Sequence, residues 1–264
     1  MYRCNELQNY HYSRTDFELA LQSVGICKGD TVFCHSNVGY LGYPEGVTSK
    51  QQSLELILST FLNLLGSQGT LVVPTFTYSF GKGENFNVND TASDCGMFSE
   101  YIRTNPLSVR SNDPSVSVSA IGKYASFLTN KVSENAYDEG SAFSRLVQLK
   151  AKVLNINFDA GSTLLHFFER VHNVSYRFDK TFYGKKFDGK CYIPCKSTLW
   201  VRDLNIEGSQ ASFERFNRYA SDKGIYKRAK VGRGGIGCIS VEDMNKAFSE
   251  LYEKDPWFLT DKHI

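Results

Sequence analysis

His166 and Glu169 lie three residues apart inside GSTLLHFFERVHN (161–173), a spacing that brings both side chains to one face of a helix. An imidazole has an ordinary pKa of about 6.5, so near pH 7 most of it is neutral and able to take a proton from an attacking group. The same segment has a plainer reading. Leu164, Leu165, Phe168 and Val171 recur at three- and four-residue intervals, the pattern of a buried helix. A histidine on such a helix is ordinarily a satisfied core residue, and the segment by itself leaves both readings open.

Other clusters carry chemistry of their own. His35-Ser36-Asn37 follows TVFC (31–34), a short apolar run that reads as a buried strand. Polar residues past the end of such a strand border the crevice where open α/β sheets hold ligands, though a simple turn would look the same. Arg110-Ser111-Asn112-Asp113-Pro114 precedes VSVSAIG (116–122). A guanidinium followed by hydroxyls suits a phosphate or an amide, while Asn-Asp-Pro is turn chemistry in any case. Cys34 beside His35 raises the option of a covalent thioester route. Alternation along a continuing strand sends those two side chains to opposite faces, so the thiol reads as a small buried apolar group.

Gly232-Arg233-Gly234-Gly235-Ile236-Gly237 matches a dinucleotide-binding glycine pattern, but that pattern must close a strand and open a helix. Here another short strand follows, which predicts a glycine-rich hairpin with a basic approach from Lys227, Arg228, Lys230 and Arg233. The histidines at 11, 35, 166, 172 and 263 include no HExxH and no pair one turn apart, so no metal is expected.

Several elements must position these residues. Thr15 and Glu18 have capping-box spacing and predict a first helix that stops at Gly25. Between Thr48 and Leu65 the apolar residues Leu54, Ile57, Leu58, Phe61, Leu62 and Leu65 keep helical spacing, with Gly66 as C-cap. GTLVVPTF (69–76), VSVSAIG (116–122) and KVLNINF (152–158) read as further strands, and residues 77–115 as a long functional loop. Farther on, CYIPC, LWVRD, IYKRAKV and GCISV read as short strands of a mixed or antiparallel sheet. A helix near 211–222 interrupts them, and a last helix starts at Ser240 with Glu242 and Asp243 in its first turn. The expectation is one α/β domain over residues 1–264, a central mixed sheet flanked by helices with an elaborated C-terminal half.

The bulk numbers fit. A chain of 264 residues with 41% hydrophobic and 22% charged residues is globular and not disordered. The net charge of +2 makes no case for nucleic acid, and no apolar run approaches a membrane span. The polar start MYRCNELQNYHYSRTD is no secretory signal, and seven scattered cysteines without a CxxC pair read as free thiols. A cytoplasmic protein without nucleic-acid or membrane partners is expected. The sequence is silent on oligomeric state and compatible with a homo-oligomer.

Taken in order, HSNVGYLG, GTLVVPTFT, RSNDPSVSVSAIG, EGSAFSRL and KVLNINFDAGSTLLHFFE resemble the aminoglycoside 3-N-acetyltransferase family over residues 15 to 175. The resemblance implies an α/β enzyme that moves an acyl group from acetyl-CoA to an amine on a sugar. It implies that His166, set between Thr163 and Glu169, lies beside the thioester as general base. It also implies that His35, Ser36, Arg110, Ser111 and Ser117 line the CoA cleft. The amine then attacks the acyl carbon directly, and Glu169 or Asp159 holds the imidazole in the right tautomer. Donors near His35-Ser36 or Ser117 meet the oxyanion, and the CoA phosphates meet Arg110 and the basic C-terminal loop.

Two departures bear on the acceptor. Asp113-Pro114 stands where antibiotic-modifying members tend to have His-Pro, and YRFDKTFYGKKFDGK (176–190) is basic and aromatic. Polycationic aminoglycosides call for an acidic cleft. The expected acceptor is therefore an anionic amino sugar, such as one carried on a nucleotide diphosphate in polysaccharide biosynthesis. Tyr176 or Phe178 would stack on a ring, and Arg177 or Lys180 would neutralise phosphate. The alternatives are an aminoglycoside-modifying resistance acetyltransferase and a non-catalytic CoA- or sugar-binding module.

Overall fold

A computed structural model describes residues 10–262, so Cys4 and His263, and most of the N-terminal stretch read above, lie outside the described residues. The first half of the chain alternates helix α1 (Arg14–Ser23), strand β1 (Thr31–Ser36), helix α2 (Lys50–Leu65) and strand β2 (Thr70–Pro74). The capping box of α1 lies two residues ahead of the expected pair. Ser13 Oγ accepts from Asp16 N, and the Asp16 carboxylate accepts from Ser13 N at 2.7 Å. An aspartate in the third position closes the box as a glutamate would. In α2 the Ser49 hydroxyl caps the start, and Gly66 ends the helix at φ 63°.

The expected loop 77–115 is less irregular than its composition suggests. It contains helix α3 (Met97–Arg103) and the edge strand β3 (Val109–Arg110). Strand β4 (Val118–Gly122), helices α4 (Ala125–Thr129) and α5 (Ala142–Gln148) and strand β5 (Lys152–Ile156) follow, then helix α6 (Leu165–Val171). Next come β6 (Arg177–Phe187), β7 (Tyr192–Arg202), helix α7 (Glu214–Asp222), β8 (Lys227–Val231), β9 (Gly234–Ser240) and helix α8 (Val241–Lys254).

Seven strands form one mixed sheet in the order β3-β4-β2-β1-β5-β9-β8. Its centre is parallel, with Phe33 of β1 opposite Val72 of β2 and Val153 of β5. Strands β4 and β9 run antiparallel to β2 and β5. Alternation along β1 splits its side chains between two cores. Val32 and Cys34 join the apolar cluster under α1, α2 and α3, and Phe33 joins the one under α5, α6 and α8. The glycine-rich run 232–237 turns β8 into β9 through Gly232 at φ 55°, a hairpin as its sequence predicts.

CYIPC and LWVRD are not separate short strands. Together they form the single strand β7, which pairs with β6 over its whole length, from Arg177 opposite Arg202 to Phe187 opposite Tyr192. The hairpin stands apart from the main sheet and is tied down along both edges. Phe86 N donates to Lys185 O, and Ala136 N donates to Thr198 O. Gly184 faces the Phe80 ring so closely that any Cβ there would collide with it.

Candidate active site

The carboxyl ends of β1, β2 and β5 share one edge of the sheet, and the antiparallel β4 starts there too. Loops at that edge and the β6–β7 hairpin enclose a cleft of about 680 Å³. Tyr78 follows β2, Val116 precedes β4, Tyr137 precedes α5, and His166 stands on α6 after β5. Phe178, Lys180, Leu199 and Arg202 form the hairpin wall.

Helix α6 is only seven residues long because Asn173 takes the left-handed conformation at φ 48° just past its end. Asn173 N donates to Arg170 O and Val174 N donates to Glu169 O, the paired bonds of a Schellman turn. That turn brings the chain back across its own helix. It delivers Tyr176 and Arg177 to the carboxylate of Glu169.

Four side chains meet there. His166 Nδ1 is 2.5 Å from Glu169 Oε2, and Tyr176 Oη donates to Glu169 Oε1 at 2.7 Å. Arg177 Nε is 2.9 Å from Glu169 Oε2 as an ion pair, and its Nη2 is 3.1 Å from His166 Nδ1. A carboxylate can only accept, so the short Nδ1 contact requires a proton on Nδ1 and leaves Nε2 as the basic nitrogen. Burial works against the charge on fully buried Glu169, but His166, Arg177 and Tyr176 outweigh it and hold its carboxyl below the usual range. Burial and then the Arg177 guanidinium push His166 below the ordinary histidine value, against the opposing pull of Glu169. The imidazole is framed by Tyr137, edge-on at 5.9 Å, and by Phe213 at 5.9 Å.

Of the two acids proposed to orient His166, the structure brings only Glu169 to it. Asp159 is exposed and paired instead with Arg228 Nη2 at 2.6 Å. His35 and Ser36 lie inside β1 and not beyond it. His35 Nε2 is bonded to Ser162 Oγ at 2.7 Å, and burial lowers its pKa to about 4. This contact ties the end of β1 to the loop that leads into α6. The Ser36 hydroxyl is buried without a partner, as is the hydroxyl of Thr163.

The Arg110 cluster has a different setting from the one expected of a cofactor site, with its polar groups bonded within the protein. Arg110 is enclosed, with Nε donating to Ser117 Oγ at 3.1 Å and Nη2 to Thr75 O at 2.7 Å. Its Nη1 donates to Val88 O at 3.3 Å and to Thr91 O at 2.5 Å. Ser117 donates to Thr75 O at 2.6 Å, and Ser111 Oγ accepts from Val118 N at 2.9 Å, both fully buried. These side chains spend their polar capacity on holding β4 to the loops around it, and the structure does not bring them to the cleft.

Tyr176 is likewise displaced from its expected role. It is buried, packed on Trp257 at 4.9 Å, with its hydroxyl on Glu169, and it offers no face to a ligand. Phe178, the other stacking candidate, is exposed on the cleft wall beside Lys180, whose ammonium lies over the Phe182 ring at 5.2 Å. Cys34 is fully buried on the face opposite His35, and burial raises its thiol well above the usual value, which removes the thiolate a covalent route needs. Tyr78 and Tyr137 were not foreseen. Tyr78 stands out in the backbone, at φ 52°, a conformation that clusters at functional sites in non-glycine residues. Among the described residues no three His, Cys, Asp or Glu side chains gather as a metal would require, and no helix is long and apolar enough to cross a membrane.

A carboxylate-oriented histidine at the strand-end cleft of an α/β sheet is an arrangement able to take a proton from an attacking group. The chain belongs to the aminoglycoside 3-N-acetyltransferase family, whose model matches residues 33–253. It is an acetyl-CoA-dependent N-acetyltransferase. Aminoglycoside N(3)-acetyltransferase VII of Streptomyces paromomycinus is 26% identical over 269 residues, covering 88% of each chain. A solved structure described as AAC-IIIb binary with CoASH superposes with a TM-score of 0.79 at 18% identity, over 92% of this chain and 97% of that one. Another, AAC-VIa bound to sisomicin, gives 0.77 at 19% identity, over 92% and 98%.

Proposed function

We propose that the chain acetylates a primary amine of an aminoglycoside-type sugar by direct attack on acetyl-CoA, with His166 as general base. The 2.5 Å contact from Glu169 to Nδ1 carries this reading, because it leaves Nε2 as the proton acceptor beside the cleft. The amine nitrogen bonds to the thioester carbon, His166 takes its proton, and the sulfur departs. The hydroxyls of Ser36, in the last position of β1, and of Thr163, in the loop that leads into α6, are buried without partners and are the candidate donors to the developing oxyanion. Lys50 and Arg233 border a smaller hollow together with the loop after β1, and neither has a carboxylate partner among the described residues. They suit the CoA phosphates.

The acceptor class rests on the relatives' printed names, which include a sisomicin complex. These favour an aminoglycoside over the anionic amino sugar expected from the sequence. One observation keeps the second acceptor in view. Lys180 and Arg202 line the cleft without a carboxylate partner among the described residues, against a single lining acid, Asp203. Such a wall attracts negative charge and suits a phosphate-bearing amino sugar. Mass spectrometry after incubation with acetyl-CoA separates the two. Product heavier by one acetyl group from aminoglycosides alone supports the first acceptor, and from nucleotide-linked amino sugars alone the second. No acetylated product from any amine would contradict both.

A further inference from the structure

Arg177 opens β6 at the point where the Schellman turn of α6 hands the chain on to the hairpin. Its side chain is only 6% exposed, and Nη1 is anchored on Trp200 O at 3.0 Å. The guanidinium is thereby fixed against both members of the catalytic pair, 2.9 Å from Glu169 Oε2 and 3.1 Å from His166 Nδ1. A guanidinium only donates, and Nδ1 already carries the proton that faces Glu169. The approach to Nδ1 is therefore not a hydrogen bond. It is a fixed positive charge set against the edge of the imidazole.

We infer that Arg177 is a positioning residue that keeps His166 neutral before attack and drives its proton onward after it, not the acceptor-phosphate ligand its sequence setting suggests. The inference rests on His166 being the base. In the reaction the amine N–C bond forms, and the C–S bond breaks with its electron pair going to sulfur. One amine proton passes to His166 Nε2 and then to the CoA thiolate, giving the amide and the thiol. Glu169 alone would make a buried histidine a strong base that holds its proton. With Arg177 sharing the carboxylate, the imidazolium is less stable and returns the proton to sulfur.

The charged and titratable groups facing His166 are few. They are Glu169 on its own helix, Tyr137 ahead of α5, Arg177 on β6 and Arg202 on β7. Tyr176 meets only the far oxygen of Glu169. Arg202 is a second positive charge, but it is Arg177 whose guanidinium comes within 3.1 Å of the ring.

The test reads the titration of the His166 ring by NMR in the free protein, next to the acid limb of kcat/KM. Arg177→Met should raise both by about one pH unit, and Arg177→Lys should stay near the wild type. In a Glu169→Gln background no buried carboxylate is left unpaired, and adding Arg177→Met there should still raise the His166 titration above Glu169→Gln alone. An unmoved titration in both backgrounds, an equal rise in Arg177→Lys, or a change confined to acceptor KM would overturn the inference. Because the NMR titration needs no substrate, it stands apart from the base assignment, which fails instead if His166→Ala keeps full turnover.

Discussion

Glu169 Oε2 lies 2.5 Å from His166 Nδ1 on a helix so short that the next turn of chain returns to the same carboxylate. The geometry solves a problem of burial. Glu169 has no exposed surface, and a buried carboxylate is costly unless its oxygens are paired. Here Tyr176 occupies one oxygen while His166 and Arg177 share the other.

Removing the hydroxyl that serves the far oxygen should therefore be felt in stability. Tyr176→Phe is predicted to lower unfolding free energy by about 1–3 kcal/mol, measured by urea denaturation, with a modest fall in kcat. Unchanged stability would mean that the Tyr176 bond to Glu169 contributes nothing.

Arg110 is predicted to be structural. Arg110→Met deletes charge-assisted bonds to Thr75 O, Thr91 O and Ser117 Oγ and should cost more than about 2 kcal/mol, with little change in KM for acetyl-CoA at temperatures where the variant is folded. A stable variant with a greatly raised KM would restore Arg110 to the cofactor site.

His35 gives a pH signature. Its pKa is lowered by burial from the ordinary 6.5 to about 4. Above pH 6.5 it is neutral in the folded and unfolded chains alike. Between 6.5 and 4 only the unfolded chain takes up the proton, so stability falls as pH falls through that window, by about 3 kcal/mol at its foot. His35→Gln should flatten this part of the stability–pH curve in thermal melts. A curve with the same slope in the variant would assign the loss to other groups.

Gly184 is one of the contacts that hold the hairpin wall. Gly184→Val meets the Phe80 ring and should destabilise the protein by about 1–3 kcal/mol while raising acceptor KM more than KM for acetyl-CoA. Equal KM values with the wild type would show that the wall does not shape the acceptor site.

The legible parts of this protein were the local ones. His166 and Glu169 pair within one turn of helix, and the parallel strands announce themselves as short, largely apolar runs. Long-range partners were out of reach. Asp159 remained a rival to Glu169 because the arginine that claims it, Arg228, stands 69 residues away. Arg110 looked like a ligand because its acceptors come from loops around residues 75, 88 and 91. The β6–β7 hairpin lost its signal to the polar run Lys196-Ser197-Thr198 in the middle of β7, and Tyr137 sits in a stretch without periodicity.

The most direct test of the account is steady-state turnover of His166→Ala, followed as CoA thiol release with an accepted amine, beside calorimetric binding of acetyl-CoA. Loss of kcat by about 10²–10⁴-fold with acetyl-CoA binding retained is the predicted result. Turnover within a few-fold of the wild type would contradict it, and would return His166 to the role of a satisfied core histidine.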